Sequence, residues 1–207
     1  MTQMTVHKAL CELKLLGDRI NKKMATDFII SNKHTNDDID GKTVAQWKAD
    51  TKAEDQSLRD LIDYRNKLKQ AVAMSNATTV VTIAGNEYTV AEAIELKNNW
   101  IPIMKNLQLE LIKKMNNVDF TVASANNRIE LDADQQMQSI YGGKDKQSPT
   151  KEMLDFRQSY IDARKLDTID PLNIKDEIDA LDNTIEAFML DVDSELSRSN
   201  AVTLIEI

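Results

Sequence analysis

The sequence predicts a mainly α protein: a long antiparallel helical bundle or coiled coil with a small β element of short strands at one end. Three observations predict it. Charged residues make up 29% of the 207 positions and aromatics 5%, with 5 Gly and 3 Pro, a mixture typical of helical proteins with aliphatic cores. Apolar residues recur in steps of three and four over long stretches, which lines them up along one face of a helix. Helix-start signals are frequent, whereas β-prone runs are short and isolated. A single elongated domain over residues 1–207 follows, with β subregions expected at 26–32, 78–88 and 201–207.

The helix starts come first. Thr-Val opens TVHKAL at Thr5, TVAQWK at Thr43 and TVAEAI at Thr89. In the second and third, Gln46 or Glu92 follows three residues after Thr. That spacing lets the Thr oxygen and the longer side chain satisfy backbone N–H groups reciprocally. Ser148-Pro149 and Asp170-Pro171 add two starts with proline at the first helical position.

Apolar spacing extends these starts. Ile178, Leu181, Ile185, Phe188, Val192 and Leu196 form one stripe, and Met104, Leu107, Leu111, Met115, Val118, Val122, Ala125 and Ile129 form another. The second helix should run from Thr43 to about Met74. The third region should run from Thr89 to about Ser139, with a kink or break at Pro102, which lacks a backbone donor. Gly142-Gly143 and the polar residues through Gln147 read as a loop.

Three strands are expected: DFIIS at 27–31, TTVVTI at 78–83 and VTLIEI at 202–207. The second should turn at Ala84-Gly85-Asn86 and continue into Glu87-Tyr88. SNATTVVTI, from Ser75, and SNAVTLIEI, from Ser199, repeat one phrase 124 positions apart. Two short strings can coincide. The structural reading is that Asn76 and Asn200 end two neighbouring helices in the left-handed conformation, so that the strands leave at a common tip and pair there.

Charge and composition exclude several functions. A net charge of −8 argues against a general nucleic-acid binder or an anionic-membrane binder. MTQMTVHK at 1–8 is no signal peptide, and no apolar run approaches the roughly 20 residues of a membrane span. Cys11, the single cysteine, has no disulfide partner and suits a reducing compartment; a buried structural thiol is expected.

Chemistry-bearing motifs are sparse. Asn36, Asp38, Asp40 and Gly41 match the opening of a calcium loop, but its twelfth position, where a bidentate Glu is required, is Trp47. His7 and His34 read as solvated. Asp132 with Asp134, and Asp191 with Asp193, read as solvated helical faces. Trp47 and Trp100 suit core packing at helix ends. No catalytic, cofactor-binding or metal residue is assigned, and the chain reads as no enzyme.

Three stretches carry a resemblance. They are RNKLKQAVAMSNATTVVTIAGNEYTVAEAIELKN (65–98), LDTIDPLNIKDEIDALDNTIEAF (166–188) and SELSRSNAVTLIEI (194–207). They resemble the septicolysin-like family of small bacterial proteins and, more closely, a group of proteins encoded in phages and prophages of Gram-positive bacteria. The middle, 100–165, is similar only as a helical pattern. The resemblance implies a long-helix bundle with a small β element. Its septicolysin side implies membrane-damaging activity without catalytic residues. Its phage side implies a structural component of the virion, associated with the tail, made in the host cytoplasm and incorporated into the particle.

The leading functional expectation is therefore a structural protein that binds copies of itself and other virion proteins, with no nucleic acid, membrane or cofactor. Strand pairing through Val202, Leu204, Ile205 and Ile207 is the expected contact, because VTLIEI reads as a strand with a free edge. The alternative is a septicolysin-like membrane-damaging toxin, which dye release from liposomes would reveal. A third reading is a cytoplasmic regulator or chaperone holding one partner.

Overall fold

A computed structural model of the protein describes residues 3–35, 37–142 and 149–207. Helix accounts for 74% of it, accompanied by short antiparallel strand pairs, so the class is mainly α with small β elements. The helices are α1 (Val6–Met24), α2 (Val44–Thr78), α3 (Val90–Glu95), α4 (Ile101–Tyr141), α5 (Lys151–Asp162) and α6 (Ile174–Val202). The strands are β1 (Gln3–Thr5), β2 (Asp38–Ile39), β3 (Lys42–Thr43), β4 (Val80–Ile83), β5 (Asn86–Thr89) and β6 (Leu204–Glu206). They form three separate two-stranded ribbons, β1·β6, β2·β3 and β4·β5.

Thr5, Thr43 and Thr89 each cap a helix, with extended backbone and a side-chain oxygen accepting from the residue three positions on. Thr43–Gln46 and Thr89–Glu92 are complete capping boxes, as their spacing predicts. The two proline starts fall elsewhere. Thr150 caps α5, its oxygen 3.4 Å from the Met153 N–H, because a hydroxyl at this position can accept and Pro149 cannot; Ser148 lies outside the described residues. Helix α6 begins at Ile174, four residues after Asp170, whose carboxylate accepts from the N–H of Ile174 at 2.7 Å and of Leu172 at 3.2 Å. Asn173 between them has φ +52°, so the chain turns once more before it winds.

Of the kink or break expected at Pro102, the break does not occur. Helical structure is continuous for 52 residues, from Val90 to Tyr141, and the winding widens to a π turn over Leu96–Trp100 just before the proline. A wider turn accommodates a residue that has no N–H to return to the preceding turn. Of the loop expected at 142–147, the residues from Gly143 on lie outside the described residues.

The chain divides into two compact units, one of residues 1–100 with 187–207 and one of residues 101–186. In the first, Met4, Val6, Ala9, Leu16, Leu68, Val72 and Ile205 form a buried cluster, with Leu13, Leu61, Tyr64, Ala71 and Ile207 packed against it. Helix α1 thus buries one stripe against α2. Tyr64 donates its hydroxyl to Glu12 at 2.9 Å, and Lys23 pairs with Glu54. Burial, and then the Glu12 carboxylate, push the Tyr64 phenol above its ordinary range. In the second unit α4 packs on α5, where Asp134 takes a 2.5 Å ion pair from Arg157. The Asn126 side chain clasps the Leu166 backbone at both its N–H and its C=O, at 2.8 and 2.9 Å.

The strands depart most from expectation. No strand covers 27–31: Ile29 is 88% exposed, and β-prone residues with no partner ladder do not form a strand. The ribbons of TTVVTI and VTLIEI do not pair with each other. Val80 to Ile83 pair with Thr89 to Asn86 in a tight hairpin, whereas Leu204, Ile205 and Glu206 pair with Thr5, Met4 and Gln3. Neither Asn76 nor Asn200 is left-handed, since α2 runs to Thr78 and α6 to Val202. Each helix instead ends when Thr79 or Thr203 gives its N–H to the carbonyl of Ser75 or Ser199, at 2.8 and 2.9 Å, and the chain then extends.

One element is therefore built twice. After the Ser-Asn-Ala helix end, the Thr79 carbonyl accepts from Val90 N–H and the Thr203 carbonyl from Val6 N–H, both at 2.9 Å. Val90 and Val6 each follow a capping Thr, and each is buried together with an alanine three residues on, Ala93 or Ala9. The inward strand residues, Val81 and Ile205, are buried as well. Ribbon β2·β3 is a third, lesser copy: Val44 N–H donates to Asp37 C=O at 3.1 Å, but Val44 is only half-buried and no helix precedes it directly.

Candidate interaction site

The four residues expected to pair with another chain separate by the period of two of an extended strand. Helix α6 carries Val202 to its last position, where it is 70% exposed. After Thr203, Leu204 points outward at 54% exposure and Ile205 inward at 6%. Ile205 sits opposite Met4 within the buried cluster, and Ile207 packs against that cluster. Ile205 is therefore a core residue with Ile207 half-buried at the cluster's edge, and Val202 and Leu204 face outward. The strand partner is β1 of the same chain, a residue set that sequence reasoning missed. QMT is too short to show alternation, and only the buried Met4 between polar neighbours signals it.

Leu204 lies beside a depression of about 300 Å³. Met74, Ser75, Thr78 and Thr79 of the α2 exit line one part of it, and Thr203 to Glu206 line the other. The two Ser-Asn-Ala exits therefore do meet at one place, as the repeated phrase predicts. Met74 is exposed there and Val80 follows at the start of β4, also exposed, so both exits present apolar side chains.

The remaining candidates have structural tasks. Asp38, Asp40 and Gly41 belong to the β2·β3 hairpin, where the Asp38 carboxylate accepts from Gly41 N–H at 3.0 Å and Asp40 and Gly41 have φ of +50° and +78°. That left-handed pair is what a two-residue hairpin turn requires. Asn36 lies outside the described residues. Asp191 accepts from Ala84 N–H, Asp193 pairs with Lys97, and Asp134 with Arg157. Trp47 and Trp100 are half-buried. Cys11 is exposed, contrary to the buried thiol expected, because it lies off the stripe of Val6, Ala9, Leu16 and Ile20; its Sγ is 3.9 Å from His7 Nε2.

In the other unit, α4 and the segment before α6 enclose an apolar groove of about 170 Å³ lined by Leu111, Met115, Val118, Ile169 and Ile174. Among the described residues, no helix is long and apolar enough to cross a membrane, and no group of three or more His, Cys, Asp or Glu is placed to hold a metal ion. Compared with family models, with curated proteins and with solved structures, the chain finds no match.

Proposed function

We propose that this chain is a non-enzymatic structural protein that assembles through protein–protein contacts with copies of itself and with neighbouring structural proteins. The observation that carries the reading is the depression between the two helix exits, lined by the exposed Met74 of one and Leu204 of the other, with Val80 and Val202 exposed nearby in the sequence of each exit. Apolar side chains grouped beside a depression favour contact with another protein surface. Among the described residues, strand β6 has a strand neighbour on one side, in a two-stranded ribbon, and such an edge accepts a further strand. The resemblance of residues 65–98 and 166–207 to phage and prophage proteins supports a virion component of the tail.

Replacing Val202→Ser and Leu204→Ser together tests the contact. The double variant should keep the native helical circular-dichroism signal, because neither side chain is in the core, while its mass by light scattering falls from oligomer to monomer. A native protein that is monomeric at high concentration, or a variant with unchanged oligomer mass, would sink the reading. A gene lying among regulatory or lysis genes, rather than tail or capsid genes, would speak against the virion role.

A further inference from the structure

The ribbons β4·β5 and β1·β6 are the same element closed in two ways. Each follows a helix ended by a Thr N–H on a Ser carbonyl, and each returns a Val N–H to that Thr carbonyl at 2.9 Å. Each buries two inward strand residues, Val81 and Ile83 in one and Met4 and Ile205 in the other, and the first valine of the next helix. The helices cross over between the two copies. Helix α2, which precedes β4, packs Leu68 and Val72 against Met4 and Ile205 of the other ribbon. Helix α6, which precedes β6, places Phe188 edge-on against Tyr88 at 6.2 Å and Asp191 on the Ala84 N–H, both in the β4·β5 hairpin.

Two differences remain: β4·β5 has four facing residue pairs and β1·β6 three, and the strands are connected differently. Ala84 and Gly85 join β4 to β5 directly, whereas β1 and β6 come from opposite ends of the sequence. A two-residue turn returns a strand to its partner at once after any separation. Two strands with no turn between them must find each other again across the whole intervening chain, at a larger loop-closure cost.

We propose that β1·β6 is a latch: the counterpart of the β4·β5 hairpin, one residue pair shorter, lacking its covalent turn, and opening ahead of the rest of its unit. Opening lifts Gln3, Met4 and Thr5 away, bares Ile205 and the flank of Val72, and frees the side of β6 that β1 covers. The latch stands independently of the assembly reading, since it concerns the order in which two corresponding closures open.

Twin amides report the order. Val6 and Val90 N–H make the same hydrogen bond in the two copies, so their exchange with solvent compares the closures directly. In the native chain Val6 should exchange at least about tenfold faster than Val90. In a circular permutant that joins residue 207 to residue 1 through a short glycine linker and opens between Ala84 and Gly85, the ranking should reverse. In a Cys11→Ser background, Gln3→Cys with Glu206→Cys should oxidise readily, because these facing residues alternate with the hydrogen-bonded pairs and lie close. Its disulfide should slow Val6 exchange to the rate of Val90.

Equal exchange of the two amides in the native chain would overturn the latch. So would a ranking that the permutant leaves unchanged, or a cysteine pair that does not oxidise. A permutant that does not fold would show that the two closures are not interchangeable, which overturns the twin relationship itself.

Discussion

Ala84 gives its backbone N–H to the carboxylate of Asp191 at 3.1 Å, fastening the tip of the β4·β5 hairpin to a helix 107 positions further along the chain. Ala84 holds φ +49° and Gly85 φ +80°, the two left-handed residues of a two-residue hairpin turn whose twist matches its strands. Glycine adopts that conformation freely, but alanine brings its Cβ close to the backbone. The contact with Asp191 is made by a residue in a disfavoured conformation.

Replacing Ala84→Asn should therefore stabilise the protein. The left-handed conformation costs an ordinary residue about 1–2 kcal/mol, and Asn, which tolerates it, recovers about 0.5–1 kcal/mol of that while keeping the N–H that Asp191 holds. The urea midpoint should rise with an unchanged slope. A lower midpoint would show that the alanine methyl makes a contact worth more than the strain.

Twin caps should respond alike. Thr5→Ala and Thr89→Ala each remove a side-chain acceptor from a helix whose first valine is buried, and each should cost about 1 kcal/mol. Thr43→Ala, on the more exposed third copy, should cost less. Denaturation midpoints of the three variants check the order, and a Thr43→Ala loss larger than the other two would contradict it.

One cap should depend on pH and another should not. Hydrogen bonds from the Thr89 N–H and hydroxyl hold the Glu92 carboxyl below its ordinary value of 4.5, so its contribution is complete above that value and is lost as pH falls through the lowered one. Gln46 performs the same task for Thr43 without a titrating group. The Thr89 amide resonance should shift on acidification below pH 4.5 and the Thr43 resonance should not be affected by its own cap. Glu92→Gln should abolish the Thr89 shift.

The two faces of β6 should separate stability from assembly. Ile205→Ser places a hydroxyl in the cluster with Met4, Val6 and Leu68, and Leu68→Ala empties a fully buried site. Each should cost about 2–5 kcal/mol. Leu204→Ser, on the outward face, should change stability by no more than about 0.5 kcal/mol. Thermal unfolding of the three variants distinguishes the faces, and a large loss for Leu204→Ser would place that side chain in the core.

Much of this fold was legible before any coordinates. The Thr caps at 5, 43 and 89 are short-range hydrogen-bonding patterns that a few neighbouring residues specify, and apolar steps of three and four commit a segment to a helix with a buried stripe. The hairpin at Ala84-Gly85 is equally local. Signals that depend on distant partners read less well. DFIIS has the composition of a strand and meets no ladder, while QMT, with no such composition, is a strand because Ile205 arrives opposite Met4. Cys11 and the start of α5 were misread because an apolar neighbour or a proline is a weaker signal than the stripe register and the capping hydroxyl.

By itself the sequence determined the three Thr caps, the helices they open and the hairpin turn after β4, because each arises from interactions spanning a turn or two of the chain. Tertiary structure alone decided which ribbon each exit joins and which residues of 202–207 face outward. A three-residue strand has too few hydrogen bonds to choose its own partner. It pairs with whatever backbone the packed helices bring alongside, in the register that buries Met4 and Ile205 together.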